Sequence, residues 1–128
     1  PENASEISGK MREYTRTVNE LFEYRTPYEL LVAKRYPGAS IAIFDTNALI
    51  TNIYNSPNSY LTQPANATTQ YFKCDPRPSG NCTKQPEGLD HYLWYDELHP
   101  SEKTDEIIAN EFSKVVQGTS KYARYWLS

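Results

Sequence analysis

The chain has 128 residues, with 13 Lys and Arg against 16 Asp and Glu, giving a formal net charge of −3. This length predicts one domain, and no apolar run approaches the roughly 18 residues that a membrane span needs. The basic residues are scattered and outnumbered, which argues against a nucleic-acid partner. With 11 Tyr and 9 Pro against 5 Gly, the composition favours a loop-rich surface around a modest core.

The first quarter of the chain predicts two helices. Apolar residues recur every three or four positions between residues 3 and 25, which predicts an amphipathic helix. The stretch Thr26-Pro27-Tyr28-Glu29 resembles a new helix start, with Thr as the cap and Glu completing a capping box. We expect this second helix to run to about Tyr36, where Pro37-Gly38 stops it. The apolar positions of the first helix are Ile7, Met11, Tyr14, Val18, Leu21 and Phe22.

A strand is predicted directly after this stop signal. Residues 40–45 form a continuous apolar run that ends at Asp45, and such runs are typical of strands buried on both faces of a parallel sheet. A helical pattern follows from Thr46, so helix, strand and helix alternate as in α/β folds. Because no other convincing strand is visible, we expect the strands that pair with this one to come from outside this chain or from a second copy.

Residues 55–90 are rich in proline, show little periodicity and contain both cysteines. This is too long for an ordinary connection, so we expect either a functional surface excursion or a flexible insertion. Cys74 and Cys82 could close a short disulfide loop; two free buried thiols are the alternative. A zinc site would need two further ligands close by, and none has the right spacing.

Three N-glycosylation sequons begin at Asn3, Asn66 and Asn81. Together with a cysteine pair that an oxidising compartment would keep as a disulfide, they favour a secreted protein carrying N-linked glycans. The chain opens without the basic and apolar regions of a signal peptide. We therefore expect a mature or processed chain, or an interior piece of a longer one.

A last helix is predicted from about Ser101 to Gln117, with Gly118 as its stop. Its apolar stripe is followed by a tail rich in Tyr and Trp, which we expect to pack back onto the first helix. The residues of the stripe are Ile107, Ile108, Phe112, Val115 and Val116.

Asp96 and His99 are the strongest candidates for catalysis. A three-residue offset in the turn before a helix lets both side chains point the same way. The carboxylate could then accept a hydrogen bond from one imidazole nitrogen and leave the other nitrogen free as a base. The alternative is structural: His99 caps the helix at Ser101 while Asp96 accepts hydrogen bonds from turn amides.

The chain resembles the C-terminal part of the SGNH (GDSL) esterase and lipase family, particularly its secreted fungal acetylesterase-like members. The most specific block is Trp94-Tyr95-Asp96-Glu97-Leu98-His99-Pro100-Ser101, followed by Thr104-Asp105 and Ile107-Ile108-Ala109. Supporting likeness comes from Tyr36-Pro37-Gly38-Ala39-Ser40-Ile41, which enters a strand ending at Asp45, and from the cysteine-containing loop. The resemblance extends in order over nearly the whole chain.

The resemblance implies a single three-layer α/β/α domain of the SGNH-hydrolase type, of which residues 1–128 form the C-terminal portion with a loop excursion at about 55–90. Asp96 and His99 match the triad acid and base. The Gly-Asp-Ser-Leu nucleophile motif and the oxyanion-hole Gly and Asn are absent here. Ser40 is a poor substitute, since it precedes a strand whereas the family's nucleophile follows one.

Two explanations remain for the missing nucleophile. Either an N-terminal part of the same enzyme is a separate, associated chain, or the chain is a fragment unable to hydrolyse esters by this route. The implied activity is carboxylic ester hydrolysis of short acyl groups, such as acetyl esters of carbohydrates, without metal or cofactor.

A second function class is a non-catalytic secreted glycoprotein fragment or carbohydrate-binding module. The aromatic segment Tyr92, Trp94 and Tyr95 could bind sugar faces, although such clusters more often form core. His91 lies beside Asp90, where adjacent side chains point apart in extended structure, and we expect a surface role for it.

Overall fold

The computed structural model describes residues 3–75 and 80–127. They form two compact units: one runs to Ile43 and resumes at Ala123, and the other runs from Phe44 to Tyr122. Helices are combined with small two-stranded sheets, so the fold class is mixed α/β. Among the described residues, no helix is both long and apolar enough to cross a membrane.

The α-helices of the described residues are α1 (Ala4–Pro27), α2 (Thr46–Asn55) and α3 (Glu102–Val116). The strands are β1 (Ser40–Phe44), β2 (Asn66–Gln70), β3 (Phe72–Cys74), β4 (Cys82–Lys84), β5 (Tyr92–Trp94) and β6 (Ala123–Leu127). Short π- and 3₁₀-helical turns lie at Tyr28–Val32, Pro57–Ser59 and Leu89–His91.

The first predicted helix is confirmed as α1, but the predicted new start at Thr26 is wrong. α1 continues through Thr26 to Pro27, whose backbone angles are helical (φ −64°, ψ −34°). No cap forms, because the chain never leaves the helical conformation. A π-helical turn follows instead, closed by a bond from the amide of Ala33 to the carbonyl of Tyr28 (2.8 Å), and it buries Leu30.

The predicted strand is confirmed as β1, but it has a partner within this chain. β6 pairs with β1 in a two-stranded sheet, so the expectation that every partner strand lies elsewhere is wrong. The tail also reaches α1, since Arg124 forms an ion pair with Glu23. Residues of β1 alternate between exposed and half-buried, so the strand is not covered on both faces within the described residues.

The second unit has its core between α2 and β5. Asp45 caps α2 through a hydrogen bond from the amide of Ala48 to its Oδ1 (2.9 Å), and α2 contributes the fully buried Leu49 and Ile53. Leu93 of β5 is also fully buried. The remaining buried members of this cluster are Leu61, Ala67 and Tyr122.

The excursion at residues 55–90 contains regular structure that its sequence pattern did not predict. β2 pairs in parallel with β5, aligning Asn66 with Tyr92 and Gln70 with Trp94. β3 and β4 form an antiparallel hairpin, closed by a disulfide between Cys74 and Cys82. The disulfide is therefore confirmed, and the free-thiol alternative is wrong.

The predicted last helix is confirmed to within a residue as α3. Its N-cap is Ser101, whose Oγ accepts from the amide of Thr104 (3.1 Å). The hydroxyl of Thr104 donates to the carbonyl of Leu93 (2.9 Å), and Ser101 and Thr104 are fully buried. The start of α3 is therefore tied to the end of β5. Gly118 follows the helix at φ 74°, a left-handed conformation that glycine adopts without strain.

We expect Thr104→Val to destabilise the protein by about 1–3 kcal/mol, because the buried hydroxyl of Ser101 donates to Thr104 Oγ1 (3.1 Å) and would lose its acceptor. Urea unfolding measures the change. The matched control is Thr51→Val on α2, at an exposed position, where the change should stay within about 0.5 kcal/mol. Equal effects of the two substitutions would contradict this role for Thr104.

Candidate active site

Asp96 and His99 lie in a tight turn between β5 and α3. The turn is closed by a backbone hydrogen bond from the amide of Tyr95 to the carbonyl of His99 (2.9 Å). Trp94 and Pro100 form an antiparallel bridge just outside it. Since both ends of the turn are fixed by backbone bonds, the two side chains between them have little freedom to separate.

The structure brings the two predicted side chains into contact. Nδ1 of His99 lies 2.9 Å from both carboxylate oxygens of Asp96. The amides of Leu98 and His99 also donate to Oδ1 of Asp96, at 2.9 and 2.8 Å. The carboxylate thus accepts from two backbone N–H groups and one imidazole.

These donors lower the pKa of Asp96 to about 2. The main cause is the amide of Leu98, followed by the ring and then the amide of His99. Each of these bonds favours the charged form, because an ionised carboxylate only accepts. The hydrogen of a neutral His99 ring is therefore assigned to Nδ1, which leaves Nε2 with a free lone pair.

The two side chains differ in their access to solvent. The side chain of His99 is 69% exposed, whereas that of Asp96 is 25% exposed. Among the described residues, Nε2 of His99 has no hydrogen-bond partner. The pair therefore presents an oriented proton acceptor to the outside, with its carboxylate partly withdrawn behind it.

The catalytic and structural interpretations of this pair turn out to be compatible. Ser101, not His99, caps α3, so the predicted capping role of His99 is wrong. The carboxylate of Asp96 does accept from turn amides, as the structural interpretation expected. The same carboxylate also accepts from the imidazole, so the turn bonds do not compete with the contact between the two side chains.

Aromatic side chains from the excursion and β5 pack together beside the turn. Phe72 stacks on Tyr95 with ring centroids 5.6 Å apart and an interplanar angle of 18°. Tyr71 contacts Tyr92 and Tyr95 at 5.8 and 6.4 Å. These ring contacts form a packed aromatic cluster beside the turn.

The hydroxyl of Tyr92 donates to Glu87 at 2.7 Å. Burial, reinforced by this carboxylate, raises the pKa of Tyr92 to about 12. Sequence reasoning missed Tyr71 and Phe72, which it placed in a loop. The signal was the run of Thr, Tyr and Phe between residues 68 and 72, a composition typical of strands.

The other predicted residues belong to other elements of the fold. Nδ1 of His91 lies 3.3 Å from the carbonyl of Pro64, and Ser40 begins β1. Within residues 3–75 and 80–127, no group of three or more His, Cys, Asp and Glu side chains could hold a metal ion.

The three sequon asparagines have different surroundings. Asn3 caps α1 by accepting from the amide of Glu6 (2.8 Å). Oδ1 of Asn66 accepts from the amides of Thr68 and Thr69, each at 3.0 Å, and Asn81 is exposed beside the disulfide. Glycosylation at these positions stays a prediction.

The chain is similar to a curated acetylesterase from Hypocrea jecorina, with 47% identity over 124 residues. The match covers 97% of this chain but only 35% of the length of that relative. No family model matches the chain.

We expect the stability contributed by Asp96 to disappear in acid. Its pKa is lower in the folded than in the unfolded protein, so this contribution is present above about pH 4 and is lost as pH falls through about 2. The stability difference between the wild type and Asp96→Asn, measured by urea unfolding, should therefore shrink as the pH is lowered from about 5 to about 2. This interval spans the pKa of Asp96 in the unfolded and in the folded protein.

The control is Asp90→Asn, an exposed position where the side chain accepts no hydrogen bond within the described ranges. Its stability difference should stay small at every pH. A difference for Asp96→Asn that does not change with pH would contradict the lowered pKa.

Proposed function

We propose that this chain supplies the acid and the base, Asp96 and His99, of a Ser-His-Asp triad in a carboxylic ester hydrolase of the SGNH (GDSL) type. The observation that carries the proposal is the 2.9 Å contact between Nδ1 of His99 and the carboxylate of Asp96, with the remaining ring nitrogen directed away from the acid. The similarity to a protein named acetylesterase supports ester hydrolysis as the reaction. As substrates we propose short acyl esters, such as acetyl groups on carbohydrates.

The mechanism follows from the orientation of His99. Nε2 accepts the hydroxyl proton of a serine as the serine oxygen attacks the ester carbonyl carbon, while Asp96 stabilises the imidazolium that forms. The imidazolium then donates this proton to the departing alcohol oxygen, leaving an acyl-enzyme. Water loses a proton to the same nitrogen and attacks the acyl carbon. The imidazolium then returns that proton to the departing serine oxygen, which releases the acid and regenerates the serine hydroxyl and the neutral imidazole.

The serine and the oxyanion-hole donors are proposed to lie in a part of the enzyme outside these 128 residues. The chain spans 35% of its relative, and it lacks the Gly-Asp-Ser-Leu motif that carries the family's nucleophile. We propose further that it is the C-terminal portion of a three-layer α/β/α domain whose N-terminal part is a separate, associated chain.

The apolar face of α1 is the surface proposed to receive that N-terminal part. α1 has no buried residue over 24 positions, although an amphipathic helix gains most of its stability from covering its apolar face. A pocket of about 370 Å³ lies at one end of this face, lined by Leu21, Phe22 and Ile41 among others. The exposed apolar residues of the face are Ile7, Met11, Tyr14, Val18, Leu21 and Phe22.

The disulfide between Cys74 and Cys82 supports secretion, since such bonds persist in oxidising compartments. The three sequons then have access to the machinery that attaches N-linked glycans. Secretion and glycosylation are proposed on these grounds.

In the enzyme that contains this chain, His99→Ala should lower kcat for a small acetyl ester by about 10³-fold or more, because the serine loses its base. Asp96→Asn should also lower kcat strongly, since an amide no longer holds the neutral ring in the required tautomer. Both effects are measured as initial rates near neutral pH, by titrating the acid that hydrolysis releases.

The matched control is His91→Ala, because His91 is the other histidine of the chain and makes one long bond to a backbone carbonyl. Its rates should equal those of the wild type. Unchanged hydrolysis by His99→Ala would reject the catalytic assignment, and the non-catalytic glycoprotein alternative would then be preferred.

The proposed covering of α1 makes a separate prediction. Leu21 is 56% exposed in this chain; if the rest of the enzyme covers it, Leu21→Ala should destabilise the whole enzyme by about 2–5 kcal/mol. Arg16→Ala, on the opposite side of α1 with a side chain 79% exposed, should change stability by less than about 0.5 kcal/mol. Urea unfolding of the complete enzyme measures both changes in stability. Equally small changes for the two variants would contradict the proposal that the rest of the enzyme covers α1.

A further inference from the structure

The turn that carries Asp96 and His99 is held on its α3 side by one carbonyl. The oxygen of Leu93 accepts from the amide of Ser101 (2.9 Å) and from the hydroxyl of Thr104 (2.9 Å). All three residues are fully buried. These bonds tie the chain after His99 to β5, but they do not involve Trp94 or Tyr95, the two residues that directly precede Asp96.

The segment before Asp96 is held by the excursion. The amide of Phe72 donates to the carbonyl of Tyr95 (2.7 Å), and the amide of Tyr95 donates to the carbonyl of His99 (2.9 Å). Tyr95 therefore links the first residue of β3 to the backbone of the proposed base. Tyr95 directly precedes Asp96 in the chain, so this link lies next to the proposed catalytic pair.

Side-chain packing reinforces this backbone link. The ring of Phe72 lies stacked on that of Tyr95, and the ring of Tyr71, the residue before β3, also contacts that of Tyr95. The amide of Tyr71 donates to the carbonyl of Trp94 (2.9 Å). Tyr71 and Phe72 are therefore hydrogen-bonded through their backbone amides to the carbonyls of Trp94 and Tyr95, the two residues that lead into the turn.

Phe72 is also held by its strand pairing with β4. It pairs with Lys84 at the open end of the β3–β4 hairpin, and the Cys74–Cys82 disulfide closes the hairpin two residues further along. The amide of Gln85 also donates to the carbonyl of Tyr71 (2.9 Å). The hairpin is therefore held together by its own strand pairing and disulfide, and it is hydrogen-bonded to the turn that carries Asp96 and His99.

We propose that Phe72 is a positioning residue for ester hydrolysis: through Tyr95 it sets the direction in which the His99 ring points toward the serine. The inference rests on the proposed function. It assigns a role to the disulfide-closed excursion, which the catalytic mechanism itself leaves without one. The side chain of His99 is 69% exposed, so the described residues hold it mainly through Asp96 and this backbone link. A misplacement of about 1 Å in a catalytic group can cost about 100-fold in rate.

The test uses Phe72→Leu in the complete enzyme, because leucine remains apolar but cannot stack. We expect kcat for a small acetyl ester to fall about tenfold or more, while KM changes less than about twofold because the substrate contacts are not altered. Phe72→Tyr keeps the ring and should restore kcat. A purely structural role would lower the amount of active enzyme without changing kcat per active site.

The amount of active enzyme is therefore measured by saturating the serine with a fluorophosphonate, and kcat is expressed per labelled site. Phe112→Leu is the matched control, since Phe112 is in ring contact with Phe44 and not with Tyr95. It should keep the wild-type kcat. A Tyr95→Leu variant and the Phe72→Leu/Tyr95→Leu double variant complete a double-mutant cycle. The loss of kcat in the double variant should not exceed the larger of the two single losses, because both substitutions remove the same ring contact.

Two failures are distinguishable. If His99→Ala hydrolyses the ester at the wild-type rate, the proposed function is wrong and the positioning role fails with it. If His99→Ala is inactive while Phe72→Leu keeps the wild-type kcat per labelled site, the positioning role alone is overturned. Losses that multiply in the double variant would also overturn it.

Discussion

The carboxylate of Asp96 is the group on which the rest of this site depends. Two backbone amides and the ring of His99 donate to it, and together they lower its pKa to about 2. An acceptor that is ionised at neutral pH fixes both the turn and the tautomer of His99, so the same bonds that shape the backbone also orient the ring of the proposed base. Removing the charge would loosen the turn and release the ring together.

Local sequence patterns predicted the parts of the molecule that depend on local contacts. Asp96 and His99 are three residues apart, and the turn before the capped helix brings these near neighbours into contact. The cap at Ser101 and the stop at Gly118 likewise follow from the preferences of single residues. The pairing of Cys74 with Cys82 was open in the sequence, and the short loop between them made closure feasible.

The features that were missed depend on contacts between distant residues. β6 is recognisable only once β1 is known to pair with it, and β2 and β3 are too short to show a clear alternation. The helix start predicted at Thr26 failed because Pro27 is compatible with a helix end as well as a helix beginning. The support that Phe72 gives to Tyr95 has no local signature, since the two are joined only by packing and one long-range hydrogen bond.

His99 is proposed to act as the base for a serine outside these 128 residues. The most direct measurement is a crystal structure of the complete enzyme after covalent labelling with a fluorophosphonate, together with mapping of the labelled peptide. We predict a single labelled serine in the part of the enzyme beyond this chain, with its Oγ about 2.6–3.2 Å from Nε2 of His99, or slightly farther because of the label. A label on Ser40 or another serine of this chain, or a labelled serine remote from His99, would contradict it.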